Sequence, residues 1–319
     1  MKQIKIALCA ALATAMLSSC KKEDSSPSTG KGNSNPSTGN VTLQFENVVS
    51  NSPLRLGTEA SNATPYTSNG QIIKFKQLKY VISNIVLVKE DGSKVPYHTE
   101  DLEKGATVID ASDAKSLSYV LSEIPVGNYK GIEFGLGVKK ELNNLKLQER
   151  FPNFYRLTGA FNHPDGLMHW EWANGYRFTK IEGWYGSENK AISIHTGSAF
   201  KGTKADANTW ELNSDRDAFR YITLDFPTVL SVGEAQRKVV LTADLDKLIN
   251  GTNKITLEGN IPTVHHLTNM FPFVNNIGGN QNINGEKIVI LEINSTNPAT
   301  NLDQATFDKK GMFSVKNIE

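Results

Sequence analysis

Apolar and polar residues alternate with a period of two along much of this chain, the pattern of strands that bury one face. Residues 41–48 show it first: Val41, Leu43 and Phe45 alternate with Thr42, Gln44 and Glu46. Residues 79–89 form a β-branched and aromatic run closed by the turn pair Asp91-Gly92. Further strands are predicted at 107–109, 127–137, 220–226, 239–244, 255–258 and 287–293. Pro125-Val126-Gly127, Asn250-Gly251 and Asn284-Gly285 punctuate them. Helical periodicity is scarce, and only 233–236 and 245–250 qualify, as short turns. Many short strands with regular punctuation predict an all-β fold. The expected architecture is an antiparallel β-sandwich with long loops, one domain over residues 41–319.

The first forty residues follow a different pattern. Lys2 and Lys5 precede an apolar run over residues 6–17, then Ser18-Ser19-Cys20, which describes a signal peptide over residues 1–19. Leu17-Ser18-Ser19-Cys20 resembles a bacterial lipobox, so Cys20 is expected to carry the lipid that attaches the protein to its membrane. Several acyl chains, at ~0.8 kcal/mol per buried CH₂, hold a soluble domain firmly. Residues 21–40 are rich in Ser, Pro, Gly, Asn and Lys, cannot bury a core, and read as a flexible tether. Lys22-Glu23-Asp24 resembles the export signal of surface lipoproteins, so the expected location is the outer membrane, on its periplasmic face or at the cell surface.

Charge and cysteine content narrow the chemistry. Lys+Arg number 34 and Asp+Glu 33, and the signal peptide removes two lysines and no acid. A chain this near neutrality lacks the electrostatic footprint of a nucleic-acid binder. Its two cysteines are Cys9, within the signal peptide, and Cys20. The folded part therefore has no thiol, and any metal must be held by His, Met, carboxylate or a modified side chain.

Residues 161–185 carry the densest chemistry, including three of the four tryptophans. In a strand, Met168, Trp170 and Trp172 share one face, with His169 and Glu171 on the other. Asn174-Gly175 predicts a hairpin into Tyr176-Arg177-Phe178. A two-residue loop would set Trp172 opposite Arg177. A three-residue loop would set Trp172 opposite Tyr176 and Trp170 opposite Phe178, and it is preferred because it gathers aromatics, worth up to ~1 kcal/mol per pair. Such a cluster is ordinarily sandwich core. Its company is less ordinary: His163, Met168, His169 and His195 fall within 33 residues of a chain with six histidines. His265, His266 and Met270 form a second group. Imidazole and thioether donors without thiolate suit copper, cuprous copper above all.

Several stretches resemble the MbnP family of bacterial copper-binding proteins. They are Phe45-Glu46-Asn47-Val48-Val49, Tyr80 with Ile82-Ser83-Asn84-Ile85, Phe134-Gly135-Leu136-Gly137-Val138, Met168-His169-Trp170-Glu171-Trp172 running into Gly175-Tyr176-Arg177-Phe178, Glu182-Gly183, and Ile194-His195-Thr196-Gly197. The resemblance implies a β-sandwich in which a di-haem peroxidase-like partner, MbnH, oxidises a tryptophan to kynurenine, and the modified protein binds copper. Carried across, Trp170 or Trp172 is the modified residue and His195 sits at the family's His-x-Gly position. The chain departs from the family after Asn269-Met270-Phe271, where a His-bearing ending is replaced by Pro272-Phe273-Val274-Asn275-Asn276.

Two other function classes compete with this one. Trp184, Tyr185, Trp210 and Tyr66, read as loop-placed, would suit a surface lipoprotein that binds a glycan or another ligand through exposed aromatics. Catalysis has little to rest on: no nucleophile motif is present, and nothing fixes the separation of Glu171 and Glu182. The protein is expected not to be an enzyme.

Overall fold

A 19-residue strand, β4 (Gln71–Lys89), organises the structure, a computed structural model that describes residues 37–159, 167–170, 174–203, 206–258, 263–264, 267–279 and 311–319. In chain order the other strands are β1 (Thr38–Val49), β2 (Ser52–Pro53), β3 (Tyr66–Ser68), β5 (Lys94–Tyr97), β6 (Thr107–Asp110), β7 (Ser118–Pro125), β8 (Gly127–Leu136), β9 (Arg177–Tyr185), β10 (Lys190–Thr203), β11 (Asp206–Asp217), β12 (Arg220–Val232), β13 (Arg237–Asp244), β14 (Thr263–Val264) and β15 (Phe313–Ile318). Among the described residues four short α-helices interrupt them, α1 (Leu102–Gly105), α2 (Pro152–Leu157), α3 (Lys247–Asn250) and α4 (Leu267–Ile277), with a single 3-10 turn at Leu145–Leu147.

Two sheets result. The ten-stranded sheet runs β11-β10-β9-β4-β8-β12, with β3, β5 and β6 also paired to β4 and β14 to β10. The five-stranded sheet runs β15-β13-β1-β2, with β7 on β1. The predicted all-β class holds. Pairing is antiparallel except at β1–β13 and β10–β14, which are parallel.

Side chains from both sheets meet edge to face in the core. Tyr80 of β4 lies 6.0 Å from Phe45 of β1 and 5.6 Å from Phe313 of β15, and Phe134 of β8 lies 5.3 Å from Phe313 (ring centroids). Alternation then assigns the other face of the large sheet: with Tyr80 and Phe134 pointing inward, Lys79, Gly135 and their cross-strand neighbours point outward. Met168, Tyr176 and Phe154 build a second packed layer, and Phe154 and Tyr176 meet at 5.3 Å.

The family-like motifs turn out to be folding devices. Asn84 breaks β4 with φ of 52°, at a bulge where Ser83 pairs with Gly135 and Val86 with Glu133. Asn tolerates this left-handed conformation better than most residues. Ser83 Oγ donates to the Gly137 carbonyl at 2.6 Å. Gly137 has φ of 104°, and a Cβ there would meet the Phe178 ring at 2.3 Å.

Several expectations are corrected. β1 begins at Thr38, three residues earlier than its alternation suggested, because Thr38 and Gly39 pair with Pro125 and Ile124. Residues 255–258 are not a strand; they lie in the loop after α3, where Gln71 binds the Ile255 carbonyl and the Leu257 amide. Residues 287–293 and Asn284-Gly285 lie outside the described residues. Both hairpin registers proposed for residues 168–178 are wrong. His169 bridges Tyr176, the Arg177 amide donates to the Met168 carbonyl at 2.8 Å, and the Trp170 amide donates to the Gly175 carbonyl at 3.2 Å. Trp170 therefore faces Gly175 and does not face Phe178. Met168, His169 and Trp170 are all buried, so no one-sided strand forms there. The stretch Pro272 to Asn276 is helical, within α4, and Asn276 ties that helix to the backbone of Leu248 and Asn253.

Candidate functional site

β9 and β10 pair antiparallel with His195 opposite Lys180 and Ser193 opposite Glu182. β4 places Lys79 opposite Lys180, and β6 places Asp110 opposite Lys79. One row of side chains thus crosses four strands on the outer face: Asp110, Lys79, Lys180, His195. Lys79 and Asp110 form an ion pair at 2.9 Å. On the inner face the same strands present Ile181 and Ile194, with Thr179 and Thr196 bonded to each other at 2.8 Å. Alternation splits each strand into a core face and a polar face.

His195 is the centre of the polar face. It is 4% exposed, and its Nε2 lies 2.8 Å from Glu182 Oε1 and 3.1 Å from Ser193 Oγ. Lys180 Nζ approaches the same carboxylate oxygen at 3.6 Å. Burial lowers the His195 pKa below its ordinary 6.5 despite the Glu182 hydrogen bond, and the Arg177 charge adds to the effect. Burial alone would raise Glu182, but its hydrogen bond to His195 and the Lys180 charge hold it below the usual carboxylate range. Burial lowers Lys180, with Glu182 opposing.

Trp170 closes one side. Its ring lies 6.2 Å from the His195 ring, tilted by 52°, and the Arg177 guanidinium sits 4.9 Å over the indole. Arg177 is itself anchored by Nη1 donating to the Leu167 carbonyl at 2.7 Å. Gly197 is the floor: a Cβ there would meet Trp170 Cζ2 at 2.9 Å and Nε1 at 3.0 Å. The sequence profile of the MbnP family matches residues 38–270. This chain belongs to the MbnP family.

Among solved structures, MbnP from Methylosinus trichosporium is similar to this MbnP-family chain at 16% identity. The match covers 68% of this chain and 79% of that one, with a TM-score of 0.45. No curated protein matches the chain.

Of the histidines and methionines expected as ligands, His195 stands beside Trp170 on the polar face. Met168 is fully buried, its amide donating to the Thr158 carbonyl at 2.8 Å. The His169 ring stacks on Tyr155 at 5.4 Å and 16°. His163, His265, His266, Trp172, Glu171 and Cys20 lie outside the described residues, and Met270 falls in α4 with its side chain outside them. Among the described residues no three His, Cys, Asp or Glu side chains converge as a metal site. The described donor set fits copper in part. It offers one imidazole backed by a carboxylate, while Arg177 and Lys180 add positive charge that opposes a cation.

The aromatics expected in exposed loops are mostly neither. Tyr66 is 8% exposed on β3, its hydroxyl donating to the Pro53 carbonyl, and Tyr185 is 5% exposed on β9. Trp184 is half-buried on β9, and Trp210 is on β11 with its side chain outside the described ones. Strand register explains the error, since each sits in a paired strand rather than in a turn. Sequence reading missed Arg177, Lys180 and Gly197. Its available signal was the charged residues Lys180 and Glu182 alternating with Thr179 and Ile181 in a strand-like run, which marks one face of β9 as charged.

Proposed function

We propose that this protein is a copper-binding carrier of the cell envelope whose site is completed when Trp170 is oxidised to kynurenine. The observation that carries this is the packing of Trp170 against His195, with Gly197 beneath the indole. Opening the indole at this position creates an aniline nitrogen and a ketone beside an imidazole, donors that the unmodified ring lacks. The oxidant is a high-valent haem partner of the MbnH class. Trp172, two residues on, is the alternative site of modification. His195 anchors the copper. His163, His265, His266 and Met270 are candidates for the remaining positions. His265 and His266 follow directly on β14, whose Val264 pairs with Ile194 beside His195. Copper here is cargo, and the protein is substrate and carrier rather than catalyst. The lipobox-like Leu17-Ser18-Ser19-Cys20 supports a lipid anchor at the outer membrane, facing the periplasm or the cell exterior.

The test uses protein from the native host, where the haem partner is present. Its intact mass is expected to exceed the sequence mass by roughly 4 Da from the tryptophan-to-kynurenine change, beyond any lipid. The modified protein is expected to bind Cu(I) far more tightly than about micromolar, and His195→Ala to lose that affinity. An unmodified mass ends the kynurenine claim. Binding no tighter than micromolar, unaffected by His195→Ala, ends the copper claim.

A further inference from the structure

We propose that Glu182 is a positioning residue that fixes His195 in a single tautomer, with the proton on Nε2, so that Nδ1 is the nitrogen offered to a metal. The metal clause rests on the copper reading above; the tautomer clause stands without it.

The argument begins with register. Glu182 faces Ser193 across the β9–β10 ladder, and His195 lies two residues beyond Ser193 on the same face. Glu182 and His195 are therefore diagonal neighbours, near enough for long side chains to meet. The outcome is the 2.8 Å contact between Glu182 Oε1 and His195 Nε2. An ionised carboxylate only accepts hydrogen bonds, so a contact of this length puts the ring proton on Nε2. Lys180, buried and 3.6 Å from the same oxygen, favours the ionised carboxylate. Ser193 Oγ, 3.1 Å from Nε2, can accept from the same N–H, so the contact agrees with the assignment, which the carboxylate decides. A neutral imidazole carries one N–H and one lone pair, so the lone pair falls on Nδ1. Metal-binding histidines commonly donate their other N–H to a carboxylate, which fixes the ring and raises the basicity of the ligating nitrogen. The two residues are 13 apart in sequence, and strand pairing brings them together.

The test begins with the metal-free protein carrying isotope-labelled histidine. A long-range proton–nitrogen correlation spectrum at about pH 8, where imidazole is neutral, reads the tautomer of each histidine. The His195 signals are assigned by their loss in His195→Gln. The wild type is expected to show Nε2–H. Glu182→Gln, whose amide oxygen still accepts, is expected to keep it. Glu182→Ala is expected to give a mixture or Nδ1–H. A wild type with Nδ1–H, or an E182A protein with an unchanged tautomer, would overturn the proposal. The wild-type spectrum alone can refute it, so a poorly folded E182A does not shield it. For the metal clause, Cu(I) affinity is expected to fall about 10- to 100-fold in E182A and less in E182Q. Equal affinity in E182A despite an altered tautomer overturns that clause. A wild type that binds no copper overturns the copper reading, while the tautomer spectrum still decides the role of Glu182.

Discussion

Trp170 lies as it does because residue 197 has no side chain. In Gly197→Ala the new Cβ meets the indole at 2.9 Å and the Tyr176 carbonyl at 3.1 Å, and the carbonyl cannot yield without disturbing the hairpin. The substitution is expected to cost ~1–3 kcal/mol. Urea unfolding measures that loss, and altered near-ultraviolet circular dichroism reports the displaced indole. His195 gives a pH signature whose sign is fixed. Its folded pKa is lowered, so the unfolded chain takes up the proton first on acidification. The resulting stabilisation is fully present above the ordinary value of 6.5 and is lost as pH falls through the lower folded value. Between about pH 8 and pH 5 the wild type should lose stability that His195→Gln does not lose, with the two unfolding curves converging on acidification. A constant difference across that range would refute the assignment.

At the scale of elements, alternation made the major strands legible. The runs at 41–48, 79–89, 127–137, 220–226 and 239–244 all fall within or largely over strands. Of the helices only α3 was legible, inside the short turn expected at 245–250. α4 contains Pro272 and carries no acidic residue in its first turn and no basic residue in its last, so only Gly278, which follows its last residue, signals its limits. α2 is only six residues long. The composition of the 168–178 hairpin was legible but its register was not, because the burial of Met168, His169 and Trp170 alike removes the one-sided pattern that fixes pairing. The bulge at Asn84 is a local rule with a local test. Asn84→Val forces a β-branched residue to a φ of 52° and is expected to destabilise by ~2 kcal/mol, whereas Asn84→Gly should cost less than ~1 kcal/mol. Equal thermal midpoints for the two variants would show that the bulge relaxes freely.

At the scale of the whole molecule, the two sheets are joined by rings from strands far apart in sequence. β15 enters from the end of the chain, pairs with β13, and inserts Phe313 between Tyr80 and Phe134. Phe313→Ala removes a ring that is 1% exposed and is expected to cost ~3–5 kcal/mol. Because that ring bridges both sheets, they should still unfold together. A shift in the midpoint of denaturant unfolding with an unchanged slope would show this, and a biphasic curve would mean that the sheets are independent.

Alternation, turn chemistry and cysteine content are properties of short stretches. The sequence by itself therefore determined a thiol-free β fold and the residue types available for a soft metal. Which residues meet was decided by pairing between segments that no local pattern can register. The parallel contact of β1 with β13, the pairing of residues 168–170 with 175–177 that sets Trp170 against His195, and the diagonal between Glu182 and His195 all depend on register that no short stretch fixes. A one-residue slip in any of these strands would turn its polar face into the core, so the site exists only once the core has chosen its faces.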